Sequence, residues 1–156
     1  MKHNVVYHVV RLPILLVAVF SGLMVYIGSL TKVFQFDFEG QTALSVLLFA
    51  IGFLLLLIAG VLFRKSNTTV NPLTPEKTTT LVTAGLYRFS RNPMYVGFLL
   101  WLLAVFVFVG SGVNSVFLVL FIWAANRFYI VPEELVLETL FGEAYLKYKQ
   151  YVRRWI

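Results

Sequence analysis

Gly85-Leu-Tyr-Arg-Phe-Ser-Arg-Asn-Pro-Met-Tyr-Val-Gly97 is a polar, basic stretch set between two strongly apolar halves of the chain. Between Tyr87 and Tyr95 it carries two tyrosines, two arginines, a serine and an Asn-Pro pair. An uncharged apolar run begins directly after it. Asn92 before Pro93 predicts an N-cap followed by proline at the first helical position, so a helix is expected to start here and run through Gly97 and Phe98. The start of a helix presents unpaired N–H groups and a partial positive charge, and Arg88 and Arg91 add full charges beside it. Two readings of the local chemistry stay open. The stretch is a seat for a carboxylate or phosphate, or Asn92 simply caps a helix whose arginines lie among lipid headgroups.

Outward from this stretch, composition sets the class. Of 156 residues, 60% are hydrophobic and only 13% are charged, with a mean hydropathy of +0.84. A soluble domain of this length has too little interior to hide so much apolar side chain. A polytopic membrane protein is therefore expected, built as one membrane domain over 1–156. The absence of cysteine excludes disulfides and thiolate metal sites, and two histidines near the start, His3 and His8, argue against a histidine-based metal centre. The net charge of +6 does not point to nucleic acid, because the basic residues gather where apolar runs end. Headgroup contact and membrane orientation account for them.

Four apolar runs are expected to span the bilayer, at about 12–30, 42–63, 94–109 and 115–131. The first is too long for the apolar region of a cleaved signal peptide and is read as a retained span, with Pro13 at its start, where a missing N–H is harmless. The 64–93 connection is the longest polar segment and delivers the chain into the Gly85–Gly97 stretch. Gly110 to Asn114 is a tight turn, making spans three and four an antiparallel hairpin. Pro132 is expected to break or redirect the fourth helix. After it, Leu137, Leu140, Phe141, Tyr145, Tyr148, Val152 and Trp155 recur at helical spacing among Lys147, Lys149, Arg153 and Arg154, predicting an amphipathic interfacial helix over 133–155. The fold class is thus all-α: four transmembrane helices plus that helix. Every Lys and Arg except Lys32 falls on one side of such a bundle, while the opposite loops carry Asp37 and Glu39. The positive-inside rule places both termini and the 64–93 loop in the cytoplasm.

Three polar groups then share one side at similar depth: the Tyr87–Tyr95 stretch, Asn126 with Arg127, and Glu133 with Glu134. An ionisable residue inside a span usually faces a partner or a cavity, which makes Arg127 a candidate; snorkelling to the headgroups is the alternative. Glu133 and Glu134 either complement the helix dipole or, facing arginines across a cleft, receive a ligand bearing both signs of charge. Tyr87 and Tyr95, and less directly Tyr145 and Tyr148, offer faces for a flat heterocycle or a cation, against the alternative of packing and interfacial anchoring. No Ser-His-Asp set, phosphate loop or dinucleotide fingerprint is present.

The order Leu81-Val82-Thr83-Ala84-Gly85-Leu86-Tyr87, Arg91-Asn92-Pro93-Met94-Tyr95-x-Gly97, then after one hairpin Glu133-Glu134-x-x-Leu137 and Phe141-Gly142-Glu143-x-Tyr145-x-x-Tyr148, resembles the isoprenylcysteine carboxyl methyltransferase family. That family and the related phospholipid methyltransferases are integral membrane enzymes using S-adenosylmethionine, and the likeness covers about residues 79–153. It implies a cytoplasm-facing cofactor site formed by Thr79, Leu81, Val82, Gly85, Tyr87, Arg91, Asn92, Pro93, Met94, Tyr95, Glu133 and Glu134. Glu133 and Arg127 stand where the resemblance implies catalytic residues, Arg127 facing the methyl acceptor. Thr79 and Asn92 depart from the prenylcysteine branch, which carries histidine at both places. The chain looks more like the broad bacterial branch, whose acceptors are mostly unassigned.

The function expected is methyl transfer from S-adenosylmethionine, without a metal, to a lipophilic acceptor: the carboxylate of a prenylcysteine-like compound or a related lipid. The expected setting is the bacterial inner membrane, with membrane lipids as neighbours and no nucleic acid. A different class, a non-catalytic transporter subunit or scaffold with a partner-binding loop, is the alternative. A reductase using a nicotinamide cofactor is a third.

Overall fold

The computed structural model describes residues 3–65 and 80–156 and is helical throughout, with an isolated Gln35–Ser111 bridge in place of any strand among the described residues. Helix α1 spans His3–Leu30, α2 Gln41–Lys65, α3 Pro93–Val109, α4 Ser115–Ala124, α5 Val131–Phe141 and α6 Glu143–Tyr151. Short 3-10 turns lie at Gly85–Arg88 and Gly112–Asn114, and a π turn, Ala125–Ile130, joins α4 to α5. Three stretches are long and apolar enough to cross a membrane: Pro13–Leu30, Gln41–Leu62 and Gly112–Phe141. The 17 residues of α3 rise only about 25 Å, short of a typical hydrocarbon core.

The exterior is as apolar as the composition demands. Leu15, Val19, Val46, Leu54, Val119, Trp123 and Phe128 all face outward. Such a surface is stable against lipid and aggregates in water, so the chain is an integral membrane protein. Its core is narrow, formed by Val17 and Met24 of α1, Phe98 and Leu102 of α3, Phe117 and Phe121 of α4, and Ala125 and Ile130 of the π turn. Phe20 meets Phe117 edge to face at 5.4 Å.

The most extensive helix pair is α2 with α3. They cross at Gly52 and Gly97, where a Cβ on Gly52 would lie 2.7 Å from the Gly97 carbonyl oxygen and one on Gly97 2.9 Å from the Gly52 carbonyl. Two glycines face to face let the backbones approach closely, which is how membrane helices gain packing when burial itself is no longer a driving force. At one end of the bundle the 31–40 loop docks on the α3–α4 turn. Phe36 N–H donates to Gly110 O at 2.8 Å, Gly112 N–H to Phe34 O at 2.8 Å, and Gln41 Nε2 to Val107 O at 2.7 Å. The Gly85–Gly97 stretch lies at the other end.

Three sequence expectations are corrected. Pro13 is internal to α1, because the helix extends back to His3. Pro132 does not break the fourth helix, which continues from α4 through the π turn into α5. In an α-helix the Pro132 ring would meet the carbonyl of Phe128; the wider turn, with Val131 N–H reaching back five residues to Asn126 O, falls where that clash would be. Finally, the single helix expected over 133–155 is two helices and an extended tail. Gly142, at φ 50° and ψ −124°, separates α5 from α6 in a backbone region open essentially to glycine. After Tyr151 the chain leaves the helix, with Val152 extended.

Candidate active site

The site is built on the junction before α3. Leu81 and Val82, half-buried and without regular structure, lead into the 3-10 turn that buries Tyr87. Asn92 occupies the N-cap position as expected, and its carbonyl accepts from Tyr95 N–H at 3.0 Å and Val96 N–H at 3.2 Å. Its side chain makes no capping bond. Nδ2 instead donates to Arg154 O at 3.0 Å, and the Ser90 hydroxyl accepts from the Asn92 N–H at 3.0 Å. The amide is diverted because the extended tail lies directly against this turn. Arg91 N–H donates to Arg153 O at 3.0 Å and Ser90 Oγ to Arg154 O at 3.4 Å.

Beneath the turn is a buried ionic cluster. Glu134 of α5, 5% exposed, receives Arg154 through a fork: Nε to Oε1 at 3.1 Å and Nη2 to Oε2 at 2.7 Å. Arg91 Nη2 lies 3.1 Å from Oε1 of the same carboxylate. Two guanidinium groups on one carboxylate leave the cluster with one positive charge in excess. The Arg91 side chain is only 9% exposed, and its Nε and Nη1 have no partner among the described residues. Buried donors without acceptors are costly, and they mark a place where something is to be received. The bond to Glu134 raises the pKa of Arg154 against the opposing effect of burial.

Tyrosines wall this cluster. Tyr145 is buried, with Tyr148 tilted against it at 6.1 Å. The Tyr148 hydroxyl donates to Tyr87 O at 2.6 Å, and burial pushes its pKa up to about 12, partly countered by Arg91, so the donor proton is retained. Burial, with the charge of Glu133 second, also raises Tyr87. Glu133 is half-buried with no ion pair among the described residues. Tyr95 stacks on Tyr129 at 6.1 Å.

Tyr87, Arg91, Asn92, Tyr95, Glu133 and Glu134 thus gather at one end of the bundle, with Pro93 buried and Met94 half-buried at the start of α3. Gly85 opens the 3-10 turn with φ 61°, against Leu62 of α2. Thr79 lies outside the described residues. Arg127 is exposed on the π turn, next in the chain to Phe128, whose ring meets Trp123 edge to face at 5.5 Å, and it has no ion pair among the described residues. Sequence reasoning missed Ser90, Arg154 and the bond from Trp155 Nε1 to Asn126 Oδ1 at 3.2 Å. All three contacts join residues far apart in the chain, and the helical spacing of Tyr148, Val152 and Trp155 disguised the tail as more helix.

Known proteins share parts of this sequence. The protein-S-isoprenylcysteine O-methyltransferase of Schizosaccharomyces pombe is 36% identical over 72 residues, covering 46% of this chain and 30% of that protein. The Homo sapiens protein of the same name is 39% identical over 75 residues, 48% of this chain and 26% of its own length. Protein-S-isoprenylcysteine O-methyltransferase A of Arabidopsis thaliana is 33% identical over 107 residues, 64% of this chain and 54% of its own. The chain therefore spans between about a quarter and about half of these relatives. The phospholipid methyltransferase family model matches residues 41–144, which include α2, α3, the π turn and both glutamates. With well over half of its length matched, the chain belongs to the phospholipid methyltransferase family.

Proposed function

We propose that the chain is a membrane methyltransferase that takes its methyl group from S-adenosylmethionine and passes it to a lipophilic acceptor. One observation carries the reading: a buried arginine whose Nε and Nη1 are unpartnered among the described residues is ion-paired to Glu134, and Glu133, next to it in the chain, is half-buried with no ion pair among the described residues. That pairing of signs is complementary to the amino-acid end of the cofactor, whose carboxylate suits Arg91 and whose ammonium suits Glu133. Glu134, occupied by two arginines, serves as the counter-charge that keeps Arg91 in place. Tyr87 and Tyr95, with Leu81 and Val82, are the walls that exclude water from the reacting end. When bound, the cofactor supplies an electrophilic methyl group on a sulfonium. Displacement at that carbon is in line, so the protein's part is to hold donor and acceptor in register and keep the space dry.

Arg127, exposed beside Trp123 and Phe128 on the lipid-facing surface, is the residue proposed to meet the acceptor. A guanidinium there favours an apolar molecule bearing a carboxylate or another electron-rich group. In this reading α3 is a fourth, short span, the site end faces the cytoplasm with both termini, and the membrane is the bacterial inner membrane. The basic side chains of the site end, against Asp37 and Glu39 at the other, support that orientation.

Calorimetry with S-adenosylhomocysteine on detergent-purified protein tests the assignment. The wild type is expected to bind in the micromolar range and Glu133→Gln at least tenfold more weakly. Absence of binding by folded wild type rejects the reading, and equal affinity of the two proteins removes Glu133 from the site.

A further inference from the structure

The tail beyond α6 belongs to no helix, yet it makes the densest set of polar contacts at the site end. Within three residues, Arg153 and Arg154 accept from the Arg91 N–H and the Asn92 amide through their carbonyls, Arg154 forks onto Glu134, and Trp155 donates to Asn126. Interfacial anchoring explains none of these bonds, since each is directed inward. The geometry at Glu134 is asymmetric: Arg154 takes one nitrogen to each oxygen, whereas Arg91 reaches a single oxygen with a single nitrogen. A guanidinium beside an otherwise free carboxylate forms the bidentate pair, the stronger arrangement. Arg91 does not do so here because Arg154 already holds both oxygens.

We propose that Arg154 is a positioning residue of the active site, which by occupying Glu134 keeps Arg91 from collapsing onto that carboxylate and leaves its buried donors free for the anionic end of the ligand. The inference rests on the proposed use of S-adenosylmethionine. Without Arg154, one Glu134 oxygen is buried and bare, and Arg91 swings to cover it. The donors that would receive a ligand carboxylate are then consumed internally. Arg154 needs no contact with the ligand to have this effect, and its own side chain is 37% exposed.

Two probes separate this role from general support of the fold. S-adenosylhomocysteine has the amino-acid end, and 5′-methylthioadenosine has the same adenosine and thioether without it. Calorimetry on Arg154→Ala is expected to show S-adenosylhomocysteine binding weakened at least tenfold and methylthioadenosine binding within twofold of wild type. Arg154→Lys, which keeps one charged donor for Glu134, is expected to recover part of the loss. In a Glu134→Gln background, where the competing charge is gone, removing Arg154 is expected to add little. Loss of both ligands together, or of neither, overturns the proposal, as does a full additional loss in the Glu134→Gln background. If Arg154→Ala fails to fold, Arg154→Lys against wild type decides by the same ratio between the two probes. Failure of wild type to bind either probe strikes instead at the use of the cofactor.

Discussion

Gly52→Ala is the sharpest test of how this bundle is held together. The added methyl would lie 2.7 Å from the Gly97 carbonyl oxygen, 3.2 Å from Leu100 Cβ and 3.3 Å from Trp101 N. Two of these neighbours are main-chain atoms and the third is fixed to the main chain, so no side-chain rotation relieves the contact. Restoring an ordinary separation of about 3.5 Å means opening α2 from α3 by roughly 0.8 Å, a gap that forfeits a quarter to a half of each dispersion contact across the pair. Overpacking of this kind costs about 1–3 kcal/mol. Alanine also improves helix propensity by up to about 1 kcal/mol, which conceals part of the cost. Gly60→Ala, in the same helix with nothing among the described residues within 4 Å of its new methyl, carries the propensity gain alone. The difference between the two variants isolates the clash. At about 2–4 °C per kcal/mol for a chain of this size, Gly52→Ala should unfold roughly 2–12 °C below Gly60→Ala. Thiol-reactive dyes cannot report on a protein without cysteine, so unfolding is followed by the emission of Trp101, Trp123 and Trp155 in detergent. Equal midpoints for the two variants would refute the close glycine crossing.

Two further outcomes are expected. Tyr148→Phe deletes the 2.6 Å bond to Tyr87 O and should lower stability by about 1–2 kcal/mol. Because the folded-state pKa of Tyr148 is raised to about 12 from an ordinary value near 10, this contribution is constant below about pH 10 and is lost as pH rises through 12; denaturant melts of both proteins from pH 6 to 11 check it. Single cysteines at Phe89 and Tyr151, which are 75% and 85% exposed, should react with an impermeant reagent only from the cytoplasmic side of membrane vesicles. A cysteine at Phe34, 77% exposed at the other end, should react only from the opposite side, and labelling of all three from one side would contradict the proposed orientation.

The apolar stretches were legible because membrane helices announce themselves by length and the absence of charge, and Pro93 marked the start of α3 by removing a donor no helix needs there. Arg91 and the two glutamates were legible as candidates because charge beside an apolar run demands explanation. What local pattern could not show is which partner each charge takes. Glu134 reads as a dipole complement in its own helix, yet it is the buried anchor of Arg91, 43 residues earlier, and of Arg154, 20 residues later. Asn92 reads as a capping side chain, yet its amide is claimed by a carbonyl 62 residues on. Pro132 was read through its usual effect on an α-helix, and the π turn before it lies outside that rule.

A π turn is an α-helix that has accepted one surplus residue, so the Ala125–Ile130 segment separates the number of residues in the span from the direction in which the chain beyond it faces. The wider winding spreads the same rotation over one more residue, and α5 leaves the segment in nearly the phase a regular helix would give it. Removing one residue and closing the segment into α form would therefore keep Glu133 and Glu134 facing the site, but would set the Pro132 ring against the carbonyl four residues before it. The surplus residue is what admits a proline to an unbroken helix one position before the two carboxylates.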